Sequence, residues 1–329
     1  MKIDLSNIPP EVLEILDSAY ITISNTPEFI KTFDAEIYLF DIVNPEYRGV
    51  VVKRMKPTDN FELKRKRNEL LKKEFEAFKK FQEAGFYQGS ERIPKIINYN
   101  QKNSILLEER IYGNDIRTEI QKNPKSAYYL GSRVADWLLK LHKYNQKNKK
   151  TNIDQTKTYE EFTKKLDSDK NIYLDNSSKE LYENIIESVK ILGEHNFDSI
   201  EANLHGDPSP IHFFHSEKGV IQSIDFNASS YDSIYKDCGT LISNSYIWLV
   251  NTKADYDKFI NFIDGFKNRY ESKLGRELDR KALNFYTAKS EYDKARTEKI
   301  IGNSEVAINY LDRINRLLSS DDFALEVFF

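Results

Sequence analysis

A chain of 329 residues with 40% hydrophobic content, 20 Phe and 20 Tyr carries enough apolar surface for sizeable cores, and its length suggests roughly two domains. The formal net charge of −3 excludes the basic footprint of a protein whose main partner is nucleic acid. The single Cys238 excludes an intramolecular disulfide and a cysteine-rich zinc site, and no apolar h-region or membrane-length run is present, so a cytoplasmic protein is expected.

In chain order, a short helix is predicted from about Pro10 to Ser18, followed by extended chain. The stretch "AEIYLFDIVNPEYRGVVVKRM" alternates apolar and polar residues on either side of "NPEYRG", the pattern of a hairpin with a longer turn. A charged helix follows from about Phe61 to Ala84 and ends at Gly85. Within it Leu71, Phe75, Phe78 and Phe81 form an apolar stripe, and Glu74 falls inside that stripe. Glu76 lies off the stripe, where Lys80 is its i,i+4 partner. Lys53 shares a strand face with Val51 and Met55, and an ammonium pointing inward needs a carboxylate, which makes Glu74 its expected partner.

Two further strands are read in "IPKIINYNQKNSILLEER", and Gly113 marks a turn. From there to about Asp198 the pattern is mostly helical, and helices resume from Asp237. The expected organisation is an α+β N-terminal part, residues 1–110, and a mainly helical C-terminal part, residues 111–329, interrupted by one hairpin. No internal repeat is visible.

That interruption, "NLHGDPSPIHFFHSEKGVIQSIDF" (Asn203 to Phe226), holds three of the five histidines. "SEKG" separates two apolar runs, with Gly219 suited to a left-handed turn position. Pairing across the turn sets His212 roughly opposite Ser223 and makes Asp225 its diagonal neighbour, about 7–8 Å away. Asp207 lies in the loop just before the first strand. His215 points to the opposite face from His212 and, next to the turn, is expected to be solvated. One histidine and two aspartates suit magnesium better than zinc. A metallohydrolase cluster of His205, Asp207 and His212 stays open as another reading of the same residues.

The spacing of "HGDPSPIH" and the following "SIDFNASSYDSIYKDCG" resembles the catalytic loop and metal-binding segment of aminoglycoside phosphotransferases and choline-kinase-like enzymes. His212 stands where those loops commonly have Asn, as in some aminoglycoside 2″- and macrolide phosphotransferases. The resemblance implies a bilobal protein-kinase-like fold, α+β in class. Its small N-lobe would have an antiparallel sheet and one long helix, and its larger, mainly helical C-lobe would carry the catalytic hairpin.

It further implies Asp207 as catalytic base, with His212 and Asp225 holding Mg2+. Lys53, held by Glu74, would contact the phosphates of ATP or GTP, and Asp237 would brace the catalytic loop. "ILLEERIYGND" resembles the interlobe hinge, where Glu109 and Ile111 would meet the purine edge. "ITISNTPEF" would cradle phosphates through Ser24, Asn25 and Thr26, although Gly49 is the single glycine between Ala19 and Asn60. His142, near the end of "VADWLLKLHKYN", is read as structural.

The function implied is phosphoryl transfer to a hydroxyl of a small molecule, either an antibiotic-like compound or a sugar or amino-alcohol metabolite. No nucleic-acid or membrane partner is expected, and the protein would be a monomer or weak dimer. Acidic residues able to receive a cationic acceptor are Asp255, Asp257, Asp264, Glu271, Asp321, Asp322 and Glu326. The glycine-poor loop leaves a pseudokinase or nucleotide-sensing module as the alternative.

Overall fold

The structure, a computed structural model, describes residues 1–320 apart from 33, 45, 174–177, 217 and 251–254. In chain order it begins with α1 (Pro10–Ser18), β1 (Glu28–Lys31), β2 (Ala35–Asp41), β3 (Gly49–Met55) and α2 (Phe61–Glu83). Then come β4 (Glu91–Arg92), β5 (Ile96–Asn100), β6 (Ile105–Glu109), β7 (Asn114–Asp115), α3 (Ile116–Lys122) and α4 (Ala127–Lys143). The middle carries β8 (Lys147–Asn152), α5 (Lys157–Asp169), α6 (Lys179–Gly193), β9 (Asn196–Leu204), β10 (Phe213–His215), β11 (Ile221–Ser223) and β12 (Ser230–Ser233). Four helices close the described chain: α7 (Ile234–Leu249), α8 (Tyr256–Leu274), α9 (Arg280–Ile300) and α10 (Ser304–Ser319).

These elements form two compact units, and neither is continuous in sequence. Met1–Ile116 with His212–Ser229 make the first; Arg117–Ile211 with Ser230–Phe329 make the second. The class is α+β.

The first unit is built on a five-stranded antiparallel sheet in the order β1-β2-β3-β6-β5. One face, through Tyr38, Phe40, Val50, Val52, Ile105 and Leu107, is buried on Val12, Ile15 and Leu16 of α1. Strand alternation sends Lys53 and its cross-strand partner Leu106 to the other face, toward α2. Helix α2 begins at Asn60, whose side chain accepts the Leu63 N–H at 3.0 Å, and stops at Gly85 with φ 83°. Its buried stripe is Leu71, Glu74, Phe78 and Phe81; Phe75 instead stacks on Tyr99. Glu76 pairs with Lys72 at 3.7 Å rather than with Lys80.

The hairpin β10–β11 is the middle of a second sheet, β4-β11-β10-β7. Its turn closes from Gly219 N–H to Ser216 C=O, with Gly219 at φ 74°. The register is one residue from the expected one: Phe213 faces Ser223, and Ile224 N–H donates to His212 C=O. His215 is half-buried rather than solvated, because β7 pairs with β10 at that position.

The second unit is mainly helical, with α4 packed on α8 and α9 on both α7 and α10. It also holds a three-stranded sheet, β12-β9-β8, of which β8 lies in a stretch expected to be helical. β8 reads "KNKKTN", too polar for period-two alternation, and β9 buries residues on both faces near its end. Among the described residues, no helix is long and apolar enough to cross a membrane.

Candidate active site

The first unit brings four of the expected residues together. Lys53 Nζ lies 2.7 Å from Glu74 Oε2 and 3.0 Å from Oε1, and donates to Asp225 Oδ1 at 3.2 Å. Burial alone would lower the pKa of the Lys53 ammonium, but the carboxylates of Glu74 and Asp225 outweigh it and hold the group above the usual lysine range. Lys53 is therefore a fixed cation. Glu74 is reached because i+3 and i+4 spacing from Leu71 and to Phe78 turns it to the sheet.

Asp225 sits in the left-handed region with φ 66°, a conformation that costs a non-glycine residue energy. The next residue, Phe226, is fully buried, its ring 5.0 Å from that of Phe78 and 5.5 Å from that of Phe81 on α2. Asn227 Nδ2 donates to Asp225 Oδ1 at 2.8 Å, and His212 Nε2 lies 3.6 Å from Asp225 Oδ2. The same helix thus positions Glu74 and anchors Asp225.

Ser24 and Asn25 are not part of this group. Both are exposed; Ser24 N–H donates to Asp41 C=O at 3.0 Å, and Asn25 Nδ2 donates to Asp41 Oδ2 at 2.6 Å. Asp41 faces Gly49, whereas Lys53 faces Ile37, four residues along β2 and so roughly 13 Å away. The turn at the Lys53 end is instead the one joining β1 to β2, because Ala35 pairs with Met55. That turn is tied down by Arg67, which donates to Asp34 Oδ1 at 3.0 Å. Glu109 closes β6 with its N–H on Lys95 C=O at 2.8 Å, and Arg110 N–H donates to Gly49 C=O at 2.9 Å. Ile111 follows, half-buried.

The second unit holds Asp207. The loop before it is braced by Asp237, fully buried in the first turn of α7. Asp237 Oδ2 accepts the His205 N–H at 2.8 Å, and Oδ1 accepts the Gly206 N–H at 2.8 Å. His142 Nε2 lies 3.0 Å from Asp237 Oδ2, while its Nδ1 is 2.6 Å from the Tyr270 hydroxyl. Burial alone would raise the Asp237 carboxyl; the His142 hydrogen bond and charge outweigh it and hold it below the usual range. Gly206 takes φ 94°, which a side chain would resist.

Further residues near these groups carry no signal in the sequence pattern. Asn244 Nδ2 donates to Asp207 Oδ1 at 2.8 Å and to Pro208 C=O at 2.9 Å. Lys294 donates to Ser243 Oγ, and burial lowers its ammonium to about 8 against the attraction of Glu291 and Asp207. Glu291 is matched by Arg313, whose Nη2 donates to Oε2 at 2.7 Å. In the first unit, Glu108 is a buried carboxyl on the Lys53 face.

Of the acceptor-side acids, Asp255 is paired with Lys258 at 2.6 Å and Glu271 with Lys267 at 3.2 Å. Asp257 is exposed, and burial raises the half-buried Asp264 carboxyl. Asp321, Asp322 and Glu326 lie outside the described residues.

Among the described residues no group of three His, Cys, Asp or Glu side chains could hold a metal by itself. His205 is fully buried, its ring 6.0 Å from that of Trp137 and its Nδ1 3.4 Å from the backbone nitrogen of Asp207. Magnesium needs no such cage, since it binds through one or two side chains and substrate phosphates. Asp225 with His212 beside it fits that requirement.

The fold is that of the small-molecule kinases. Choline kinase LicA from Streptococcus pneumoniae superposes with a TM-score of 0.58 at 15% identity, over 94% of this chain and 98% of that one. The ternary complex of aminoglycoside phosphotransferase APH(2″)-IIa with streptomycin and ATP matches over 98% of this chain and 99% of that one, at 18% identity and TM-score 0.58. Amicoumacin kinase hAmiN, with AMP-PNP, Ca2+ and its antibiotic, matches at 12% identity and TM-score 0.56, over 94% and 93%. No family model matches the sequence, and no curated sequence matches it significantly.

Proposed function

We propose that this protein is a phosphotransferase that moves a phosphoryl group from a nucleoside triphosphate to a hydroxyl of a small molecule. The observation that carries this is Lys53, a half-buried cation held between Glu74 and Asp225, with His212 on the far side of the same aspartate. Lys53 binds the phosphates, and its charge is fixed because two carboxylates hold the proton on Nζ. Glu109 to Ile111 offer backbone groups to the purine edge. Asp225, with His212, is the proposed seat of Mg2+, which would neutralise charge on the phosphates when bound.

Asp207 is the proposed base. Its carboxylate, oriented through Asn244, accepts the proton of the attacking hydroxyl. Little covalent work falls to the protein; orientation and fixed charge do the rest. The solved structures with ATP or AMP-PNP and an antibiotic bound support this reading as fold analogues.

The acceptor class remains broad: aminoglycoside- or macrolide-like antibiotics, sugars and amino alcohols all present such a hydroxyl. A binding-only role is favoured by one feature: between β1 and β2 the sequence offers no glycine. The deciding experiment is a phosphate-transfer screen with ATP and GTP over aminoglycosides, macrolides, sugars and choline-like alcohols. Transfer to one acceptor class is expected. Nucleotide binding without transfer to any acceptor would favour the binding module.

A further inference from the structure

Glu108 is a carboxyl of the first unit that feels the charge of Lys53 but has one oxygen without a hydrogen bond. It is 8% exposed, its Oε2 is fully enclosed, and that oxygen has no hydrogen-bond partner among the described residues. Buried polar groups in native proteins are normally satisfied, so an orphan of this kind points to a missing ligand.

Its position narrows what that ligand is. Glu108 pairs with Val51, and Lys53 pairs with Leu106, so Glu108 and Lys53 share one face of the sheet. Glu109, the next residue, begins the backbone segment proposed for the purine edge. A nucleotide with its base on that segment and its phosphates on Lys53 must run along this face, past Glu108. Burial, reinforced by the charge of Glu74, pushes the Glu108 carboxyl up to about 8. In its protonated form it presents one O–H donor and one C=O acceptor.

Resting on the nucleotide reading above, we propose that Glu108 selects the base, taking adenine over guanine at the N6–N7 edge. Adenine presents there an N6–H donor and an N7 acceptor, while guanine presents two acceptors, O6 and N7. The acid O–H donates to adenine N7 and its C=O accepts from N6–H. Guanine leaves the carboxyl C=O facing O6, acceptor against acceptor. Glutamine has the same donor–acceptor pair and replaces Glu108 functionally; leucine has neither.

The test is calorimetric titration of AMP-PNP and GMP-PNP, with magnesium, into the full-length wild type, Glu108→Gln and Glu108→Leu. The leucine variant fills a similar volume and removes a buried unsatisfied carboxyl, and a melting curve verifies its fold. Wild type and Glu108→Gln are expected to bind AMP-PNP about tenfold or more tightly than GMP-PNP, and Glu108→Leu to lose most of that ratio. Equal or reversed preference in the wild type overturns base selection by Glu108, as does an unchanged ratio in Glu108→Leu. Binding of neither nucleotide overturns the nucleotide reading as well.

Discussion

Asn244 donates from Nδ2 to Asp207 Oδ1 at 2.8 Å and to Pro208 C=O at 2.9 Å, so helix α7 fixes the plane of the carboxylate proposed as base. Asp207→Asn is expected to lower kcat by about 100-fold or more, the usual worth of a positioned base. Asn244→Ala keeps the carboxylate but frees its orientation, and is expected to lower kcat roughly tenfold with little change in KM. Steady-state kinetics on the acceptor found in the screen check both. An Asn244→Ala effect confined to KM would contradict the orienting role.

The Lys53–Glu74 pair predicts an asymmetric response to mutation. Lys53→Met leaves Glu74 buried without its cation and is expected to destabilise the protein by about 3–5 kcal/mol. Lys53→Met with Glu74→Leu removes both charges and should cost less than the sum of the single changes. Denaturant unfolding of the four proteins measures the coupling. Nucleotide titration should show weakened binding in every variant that lacks Lys53.

Asp237 is predicted to matter for folding more than for chemistry. Removing its carboxylate orphans the buried N–H groups of His205 and Gly206 and one bond to His142. Asp237→Ala should therefore lose about 3 kcal/mol or more. Because this carboxyl is held below its ordinary range in the folded state, the stability it contributes is present above its unfolded pKa and is lost as pH falls. The gap between wild type and Asp237→Ala should narrow on acidification. A variant as stable as wild type at pH 7 would contradict the brace.

Glu108 gives the opposite pH dependence. Its folded pKa, pushed up to about 8, lies above the unfolded value, so its favourable contribution is present below the unfolded pKa and is lost as pH rises through about 8. Glu108→Gln does not titrate. Its melting temperature relative to wild type should therefore rise between pH 5 and pH 9, by thermal scans in the absence of nucleotide. A constant difference across that range would show that Glu108 is ionised throughout.

Much of this was legible in the chain, for identifiable reasons. Lys53 and Glu74 could be matched because each breaks an otherwise apolar stripe, one with period two and one with period 3.6. The expected His212–Asp225 pairing rests on a register one residue off, which in a regular hairpin would put the two on opposite faces; they come within 3.6 Å with Asp225 out of the strand conformation at φ 66°.

Glu108 was hidden because β6 is buried on both faces over Ile105, Leu106 and Leu107, so alternation gives no sign of which side a polar residue takes. Asn244 lies among Ser243 and Ser245 on a helix buried on several sides, where a polar run gives no hint of which member meets Asp207. Ser24 and Asn25 carry the hydroxyl and amide donors that could stand in for missing glycines. Strand β1 starts only at Glu28, which puts both at the Asp41 end of the sheet.

Asp225, tied to Lys53 and flanked by His212, is the residue on which the proposed phosphoryl transfer most depends. Asn is nearly the size of Asp and tolerates the left-handed conformation that residue 225 adopts, so Asp225→Asn should fold as wild type does. The most direct measurement is therefore phosphoryl transfer by Asp225→Asn and wild type side by side, with circular dichroism confirming the fold of both. Transfer is expected from wild type, with none above background from the folded variant. Substantial transfer by Asp225→Asn would rule out the role proposed for Asp225.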